Sequence, residues 1–168
     1  MIYTTKYVSP LGNILIAADE EGLIGLWFEG QKYYADTIEN ENTRNMENEM
    51  LRQTKQWLDL YFSGKEPDFT PSIHMKTTEF RKRVWEILLS IPYGRTMTYG
   101  QIAKQLAKEL GIASMSAQAV GGAVGHNAVS IIIPCHRVIG TDGSLTGYAG
   151  GLDKKIALLR LEKGGTIA

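Results

Sequence analysis

The stretch "TYGQIAKQLAKELGIASMSAQAVGGAVGHN", residues 98 to 127, decides the fold of the second half of this chain. After a turn around Gly94, Ile102, Ala103 and Leu106 recur at helical spacing, which predicts a helix that begins near Thr98. Ser116 can cap a second, short helix. Two helices joined by a turn, with basic residues upstream, are a helix-turn-helix candidate, although many paired helices never contact DNA.

The predicted second helix, "AQAVGGAVGHN" at residues 117 to 127, has mostly small side chains. Its first turns carry no Arg, Lys or Asn that could read base edges in a major groove, which argues against a sequence-specific DNA regulator. Small residues let a helix backbone approach another surface closely, which suits the narrow minor groove. The alternative is that the glycines permit tight packing inside the protein, and the sequence leaves both interpretations open.

The chain has no formal net charge, but its two halves differ in sign. Residues 1 to 75 hold six Lys/Arg and twelve Asp/Glu, whereas residues 76 to 168 hold twelve Lys/Arg and six Asp/Glu. This asymmetry predicts that the second half meets a polyanion, unless the two parts simply differ in charge.

The first 75 residues have the pattern of a structural unit. The runs "NILIAAD" and "GLIGLWFEG" predict β-strands joined by turns. A 3.6-residue apolar period over residues 46 to 62 predicts a helix that ends at Ser63-Gly64. The residues of that period are Met46, Met50, Leu51, Trp57, Leu58 and Tyr61. Nothing in this half suggests chemistry.

The segment "SGKEPDFTPSIHMKT", with two prolines, places a domain boundary near residue 75. Thr78 is then a candidate cap for a further helix. The apolar stripe predicted for that helix is Phe80, Val84, Trp85, Leu88 and Leu89. The predicted fold class is α/β, with a small N-terminal β-sheet plus helix domain at residues 1–75 and a mainly helical C-terminal domain with a helix-turn-helix at residues 76–168.

Composition and the N-terminus restrict the class of protein. Hydrophobic residues make up 43% and charged residues 21%, as in soluble globular proteins and unlike disordered chains. The stretch "MIYTTKYVSP" lacks the basic and apolar regions of a signal peptide, and no apolar run approaches the roughly 20 residues that span a bilayer. We therefore expect a cytoplasmic protein with no membrane partner.

The only cysteine, Cys135, lies in "SIIIPCHRVIG", residues 130 to 140, where "SIIIP" predicts a buried strand that ends at Pro134. A lone cysteine makes neither an intramolecular disulfide nor a zinc site of paired thiolates. Because His74, His126 and His136 also lack metal-ligand spacing, we expect no metal and no cofactor. A cysteine beside isoleucines is more often inert than nucleophilic, but its polar flank and the glycine-rich "GTDGSLTGYAGG" favour a pocket here.

A reactive cysteine needs a base, because a free thiol is only about a few per cent thiolate at neutral pH. His136 is the nearest base in the sequence, although neighbouring residues on a strand point apart, so contact needs the turn or a bridging water. A third group must orient the imidazole. The acidic candidates of this half are Glu79, Glu86, Glu109, Asp142, Asp153 and Glu162, and the sequence pattern does not choose among them.

The motif "IPCHRVIG", followed by "GSLTGYAGGLDKKIALLRLE" and preceded by "YGQIA" and "AVGGAVGHN", resembles the O6-alkylguanine-DNA alkyltransferases, or methylated-DNA–protein-cysteine methyltransferases. The resemblance is close over residues 78 to 163 and looser in "SPLGNILIAADEEGLIGLWFEG". It implies repair of double-stranded DNA in which a cysteine takes the alkyl group from O6-alkylguanine, with O4-alkylthymine as a further candidate substrate. Each molecule reacts once, because a thioether is a very poor leaving group.

The resemblance implies a role for each matching residue. Cys135 is the alkyl acceptor, His136 takes its proton through a water, and Glu162 orients the histidine. Asn127 braces the turn around the cysteine, and Tyr99 helps to rotate the 3′ phosphate and to protonate the leaving guanine. The implied substrate pocket is Tyr148, Ala149, Val138, Val124 and Leu145. The implied DNA contacts are Gln118, Ala117, Ala119, Gly121, Gly122, Gly100 and Thr141.

The implied DNA contact is sequence-independent and lies in the minor groove, with the damaged nucleotide flipped out of the stack by a monomer. One position departs from the family. Many members carry an intercalating arginine where this chain has Gln118, and the link "AKELGIASMS" is longer than usual. Because glutamine is shorter and neutral, we expect Gln118 to fill the gap by hydrogen bonding, with weaker DNA affinity.

Two other classes of function remain as alternatives. A helix-turn-helix lesion sensor would bind alkylated DNA without repairing it, but the alkyltransferase-like proteins that do so lack the cysteine. A hydrolase with a Cys-His pair would turn over and would need an oxyanion site, and the sequence offers no local protease signature.

Overall fold

A computed structural model describes residues 1–167. The first half contains a four-stranded sheet in the order β3-β2-β1-β4, with β1 at Ile2–Ser9, β2 at Gly12–Ala18, β3 at Leu23–Phe28 and β4 at Thr43–Asn45. Strands β1, β2 and β3 are antiparallel neighbours, and β4 runs parallel to β1. The strands predicted from the two apolar runs are therefore present.

Every residue of β3 is buried, although β3 is the last strand of the sheet. Its free edge is covered at both ends by other parts of the chain. Leu23 exchanges backbone hydrogen bonds with Ser72 and His74, and Leu26 does so with Ala128 and Ser130 of the second half. A covered edge loses its open hydrogen-bonding groups, and this contact seats the segment before Cys135 against the sheet.

Helix α1, Glu49–Phe62, packs on β1 and β2. Asn48 caps it, because the side-chain oxygen of Asn48 accepts a hydrogen bond from the backbone N–H of Leu51 at 2.9 Å. The predicted helix began too early. Met46 lies before the cap and is 50% exposed, so it is not part of the buried stripe.

The second half is mainly helical, as predicted. It contains α2 at Glu79–Leu89, α3 at Tyr99–Leu110, α4 at Ala117–Gly125 and α5 at Leu152–Glu162. Two short strands, β5 at Met97–Thr98 and β6 at Val138–Ile139, pair in parallel. Helices α3 and α4 pack together as the helix-turn-helix.

The two caps predicted in this half, Thr78 and Ser116, are present, and Thr98 is a third cap at the place where a helix was predicted to begin. The side chains of Thr78, Thr98 and Ser116 each accept a hydrogen bond from the third following backbone N–H. Gln101 completes a capping box with Thr98 at the start of α3. The stripe predicted for α2 needs one correction, since Leu89 is 38% exposed and Ile87 is buried instead.

The prediction of a strand at "SIIIP" is wrong. Residues 130–133 form a tight turn in which Ile131 adopts a positive φ of 69°, and only Val129 makes a bridge to β3. All three isoleucines are nevertheless buried. A short apolar run shows that a segment is buried but does not distinguish a strand from a buried turn.

The buried apolar residues of both halves form one cluster, so the predicted boundary near residue 75 stays a prediction. Among residues 1–167, no helix has the length and apolar character needed to cross a membrane.

Candidate active site

Cys135 begins a single 3-10 turn, Cys135–Arg137, directly before β6. The turn before it is held by the side chain of Asn127. The amide nitrogen of Asn127 donates to the carbonyl oxygens of Ile133 at 2.8 Å and Val129 at 3.3 Å, and its oxygen accepts from the N–H of Val129 at 3.0 Å. The side chain therefore closes the loop that presents the cysteine, which fits the predicted bracing role.

A cavity of about 170 Å³ opens onto Cys135, which is itself only 5% exposed. The walls of the cavity come from three parts of the chain. The helices contribute Tyr99, Gly121, Val124 and Gly125, the glycine-rich loop contributes Gly147, Tyr148 and Ala149, and the N-terminal half contributes Lys32 and Tyr33. The predicted acceptor thus lies in a concave site that already includes most of the predicted pocket residues.

His136 and Glu162 form a buried pair beside the cysteine. The distance from Nε2 of His136 to Oε2 of Glu162 is 2.6 Å, and both side chains have no exposed surface. Nδ1 of His136 is buried and has no hydrogen-bond partner among the described residues. Of the six acidic candidates, the structure brings Glu162 to the histidine.

The carboxylate of Glu162 also accepts hydrogen bonds from three other residues. Arg137 donates from Nε to Oε1 at 2.8 Å and from Nη2 to Oε2 at 3.2 Å. The backbone N–H of Gly94 donates to Oε1 at 3.0 Å, and the hydroxyl of Tyr61 donates to Oε2 at 2.6 Å. A buried carboxylate surrounded by donors is fixed in position and stays ionised.

The charge states of the pair follow from these surroundings. Burial alone would raise the pKa of Glu162, but the hydrogen bonds and charges of His136 and Arg137 lower it to about 2. Burial lowers the pKa of His136 and outweighs the opposing effect of Glu162, with Arg137 and Lys155 adding to the decrease. The site at neutral pH is therefore a neutral imidazole beside a carboxylate.

Burial raises the pKa of the Cys135 thiol to about 11, while the nearby amide of Asn127 and the charge of Lys155 oppose the increase. The thiol is consequently protonated at neutral pH in the absence of substrate. It needs a base to form the nucleophilic thiolate.

Lys155 is a buried lysine that the sequence analysis did not single out. Its side chain has no exposed surface, and its ammonium donates to the backbone carbonyl oxygens of Val138, Thr146 and Gly147. It therefore ties the segment after the cysteine to the glycine-rich loop. The pKa of Lys155 is lowered by burial and raised by Cys135, with a net decrease.

Two tyrosines stand in the cavity wall. Tyr99 begins α3, and its ring lies near Gly121 and Gly147. Burial raises the pKa of both Tyr99 and Tyr148, and the nearby Cys135 raises them further. Both hydroxyls therefore keep their protons at neutral pH and can donate hydrogen bonds to a ligand in the cavity.

Two predicted pocket residues lie outside the cavity lining. Val138 is fully buried behind the cysteine turn, where its carbonyl oxygen accepts from Lys155. Leu145 lies in the glycine-rich loop and is 39% exposed. The structure thus brings Val124, Tyr148 and Ala149 to the cavity but not the other two.

The predicted DNA contacts form an exposed surface on the helix-turn-helix. Ala117, Gln118, Ala119 and Gly122 are exposed on α4, while Val120, Ala123 and Val124 are buried. A Cβ atom added at Gly122 would meet no atom within 4 Å. Packing inside the protein therefore does not require this glycine, and its DNA contact stays a prediction.

The remaining predicted contacts lie at the edge of the same surface. A Cβ atom added at Gly100 would lie 3.1 Å from Oγ1 of Thr141, so these two residues are close neighbours. Gly121 faces the ring of Tyr99 and lines the cavity. The predicted contacts thus run from the cavity onto the exposed face of α4.

The N-terminal half also reaches the cavity, which the sequence analysis did not predict. The backbone N–H of Lys32 donates to the carbonyl oxygen of Ala149 at 3.0 Å. The ring of Tyr33 stacks on His126 with centroids 4.0 Å apart. No local motif marks Tyr33, although the chain bends there with a positive φ of 60°.

Of the buried network, Lys155 could have been found from helical spacing. Lys155, Leu158 and Glu162 are three and four residues apart, so they share one helical face, and Leu158 is a core residue. Tyr61 and Arg137 gave no such signal. Tyr61 has the spacing of an ordinary core residue of α1, and Arg137 looks like a solvated charge beside the histidine.

Two family models match the chain. The model for the 6-O-methylguanine DNA methyltransferase ribonuclease-like domain matches residues 2–74, and the model for the DNA binding domain of the same family matches residues 79–164.

Named relatives and solved structures agree with these matches. The chain is 43% identical to a methylated-DNA–protein-cysteine methyltransferase of Methanosarcina acetivorans over 96% of this chain and 98% of the relative. It is 40% identical to the protein of the same name from Mycobacterium leprae, over 97% of this chain and 93% of the relative. The crystal structure of Mycobacterium tuberculosis OGT in complex with DNA aligns with a TM-score of 0.84 and 36% identity, over 98% of this chain and 94% of that one.

The family models together span nearly the whole chain, and the relatives match at nearly full length. The only cysteine of the chain lies in the cavity, and the buried pair His136–Glu162 begins at the next residue. The chain therefore belongs to the 6-O-methylguanine DNA methyltransferase family.

Proposed function

We infer that this chain repairs alkylated DNA by transferring the alkyl group from O6 of guanine to the sulfur of its own Cys135. The observation that carries the inference is the placement of the only cysteine in a cavity, with the buried His136–Glu162 pair beside it in the fold. A nucleophile, a base and a group that orients the base are the parts that thiol alkylation needs.

We propose that the reaction is a single displacement. The sulfur forms a bond to the alkyl carbon, the bond from that carbon to O6 breaks, and its electron pair stays on the guanine. Nδ1 of His136 takes the thiol proton through a water, and Glu162 holds the imidazole in place. The hydroxyl of Tyr99 donates a proton to the leaving guanine, and that proton is replaced from solvent. The thioether product has no route back to the thiol, so each molecule reacts once.

We propose that α4 enters the minor groove and that the alkylated nucleotide is flipped into the cavity. The exposed small residues of α4 support this, because they allow the helix backbone to approach the DNA closely. The basic charge of the second half supplies attraction to phosphates without regard to sequence. Flipping costs least for a damaged base, which favours the lesion.

Gln118 lies on the exposed face of α4, three residues before Gly121 of the cavity wall. We propose that it fills the gap in the duplex through hydrogen bonds of its amide. One chain contains every residue of the proposed reaction, so we expect a monomer to be competent. The cytoplasmic location stays a prediction.

The test is the mass of the intact protein after mixing with a duplex that carries one O6-methylguanine. We expect each molecule to gain the mass of one methylene, mapped to Cys135 and saturating at one equivalent, and Cys135→Ser to gain none. Lesion-selective binding with an unchanged mass would overturn the proposal and would place the chain among lesion sensors.

A further inference from the structure

Tyr61 belongs to the N-terminal half but lies in the buried network of the second half. It is in α1, and its side chain has no exposed surface. Its hydroxyl oxygen lies 2.6 Å from Oε2 of Glu162 and 3.4 Å from Nε2 of His136. The roles proposed above all belong to residues between 99 and 162. Through Tyr61, the first half also contacts His136, the proposed base.

The hydrogens around Nε2 of His136 can be assigned from the chemistry of its neighbours. An ionised carboxylate only accepts hydrogen bonds, so the short contact to Glu162 requires a hydrogen on Nε2. The proton of Tyr61 is used in its own 2.6 Å bond to the same carboxylate oxygen, which leaves a lone pair of Tyr61 towards Nε2. Both neighbours of Nε2 are then acceptors, and Nδ1 carries the free lone pair.

The charges around His136 agree with this assignment. The charged groups that face it are Glu162 and Lys155 from α5 and Arg137 from its own turn. Tyr61 adds no charge, because burial and the neighbouring Glu162 raise its pKa well above the ordinary value. It therefore remains a hydrogen-bond donor over the whole pH range in which the histidine titrates.

We propose that Tyr61 is a positioning residue for alkyl transfer: its hydroxyl orients Glu162 and holds His136 in the tautomer whose Nδ1 can accept the thiol proton. The proposal rests on the role given above to the His136–Glu162 pair. It assigns a chemical task to the N-terminal half, because the base is correctly arranged only when α1 is docked on the second half.

The variant that tests this is Tyr61→Phe, which removes the hydroxyl and keeps the ring. The ring stacks on Trp57 with centroids 5.2 Å apart, and these contacts survive in phenylalanine. Tyr93→Phe is the matched control. The ring of Tyr93 packs edge-on against Tyr61 at 6.2 Å, and its hydroxyl is buried without a hydrogen-bond partner among the described residues.

The readout is the rate of methyl transfer from an O6-methylguanine duplex as a function of pH, with the unfolding temperature measured in parallel. We expect Tyr61→Phe to slow transfer about tenfold near neutral pH, which is part of what a general base contributes. The loss should be larger at acid pH, because a carboxylate without this donor presents more negative charge to His136 and raises its pKa. The pH at which the rate of transfer falls on acidification should therefore be higher in Tyr61→Phe than in the wild type. The pH dependence of Tyr93→Phe should match that of the wild type.

Several outcomes separate the possibilities. A lower unfolding temperature with an unchanged rate and pH profile would make Tyr61 structural only and would overturn the proposal. If Glu162→Gln slows transfer and Tyr61→Phe does not, only the role of Tyr61 fails. If neither slows transfer, the proposed base fails as well. Should Tyr61→Phe not fold, ¹⁵N NMR of the wild-type histidines still tests the tautomer that the proposal needs, because a hydrogen of neutral His136 on Nδ1 would overturn it.

Discussion

Nε2 of His136 lies 2.6 Å from Oε2 of Glu162, and neither side chain is exposed to solvent. The two residues are 26 positions apart, and α5 brings them together. Arg137 binds the same carboxylate through two nitrogens, so the pair is part of a charged network and not an isolated contact. Such a network is costly to break, because each remaining partner would be left buried and unpaired.

Glu162→Gln should slow methyl transfer strongly. The amide keeps the size of the carboxylate but loses its charge, so it no longer stabilises the imidazolium that forms when His136 takes the thiol proton. We expect a loss of about 100-fold in the rate of transfer from an O6-methylguanine duplex. Glu86→Gln, at an exposed position of α2, is the control and should react like the wild type. A Glu162→Gln variant with the wild-type rate would contradict the proposed role of the pair.

The same substitution should make stability less sensitive to acid. The pKa of Glu162 in the folded protein is about 2, below the value of about 4.3 expected in the unfolded chain. A group with a lowered folded pKa contributes stability above the unfolded pKa, and this contribution is lost as the pH falls towards the folded pKa. The difference in unfolding free energy between wild type and Glu162→Gln should therefore shrink as the pH falls from 5 towards about 2. Denaturant titrations at several pH values measure it, and a constant difference would argue against an ionised Glu162.

Lys155→Met should destabilise the fold and slow the reaction. Methionine fills the space but leaves three carbonyl oxygens, those of Val138, Thr146 and Gly147, without their buried donor. We expect a loss of about 2 to 4 kcal/mol in the free energy of unfolding, measured by denaturant titration. The transfer rate should also fall, because Lys155 is a positive charge that lowers the pKa of the Cys135 thiol. Lys154→Met is the neighbouring control, since Lys154 makes a cation–π contact with Phe28 and donates no side-chain hydrogen bond among residues 1–167. Equal stability of the two variants would contradict this account.

Local rules predicted the helices of the second half well. The caps at Thr78, Thr98 and Ser116 each depend on a side chain and on a backbone N–H three residues later. Such local interactions can be predicted from a short stretch of sequence. The turn before Cys135 was missed because its shape depends on Asn127 and on the edge of β3, which are not part of the apolar run itself.

Sequence pattern alone left six acidic candidates for the partner of His136, and the family resemblance selected the one that the structure places there. The contributions of Tyr33 and Tyr61 could not be predicted in either way. Each residue lies in the N-terminal half and reaches the site through the docking of the two halves, a long-range contact that neither composition nor helical period encodes.

Tyr33→Ala should widen the range of alkyl groups that the cavity accepts. The ring of Tyr33 lines the cavity and is held by stacking on His126. Its removal opens one wall, so the ratio of rates for O6-benzylguanine over O6-methylguanine in DNA should rise about tenfold. Tyr34→Ala is the control, because Tyr34 packs against Trp27 instead. An unchanged ratio in Tyr33→Ala would mean that another wall limits the size of the group.

Gln118→Arg should strengthen binding to duplex DNA. The residue is exposed on α4, and an arginine there adds a positive charge and a planar group that can stack in the gap left by a flipped base. We expect affinity for an O6-methylguanine duplex to rise about tenfold, or about 1.4 kcal/mol, with a steeper salt dependence if a phosphate is also contacted. Gln56→Arg places the same charge at an exposed position of α1 in the N-terminal half. It should change the affinity for the duplex much less. If Gln118→Arg alters neither duplex affinity nor repair rate, then position 118 does not fill the gap. If Gln56→Arg matches its gain, then net charge explains the effect.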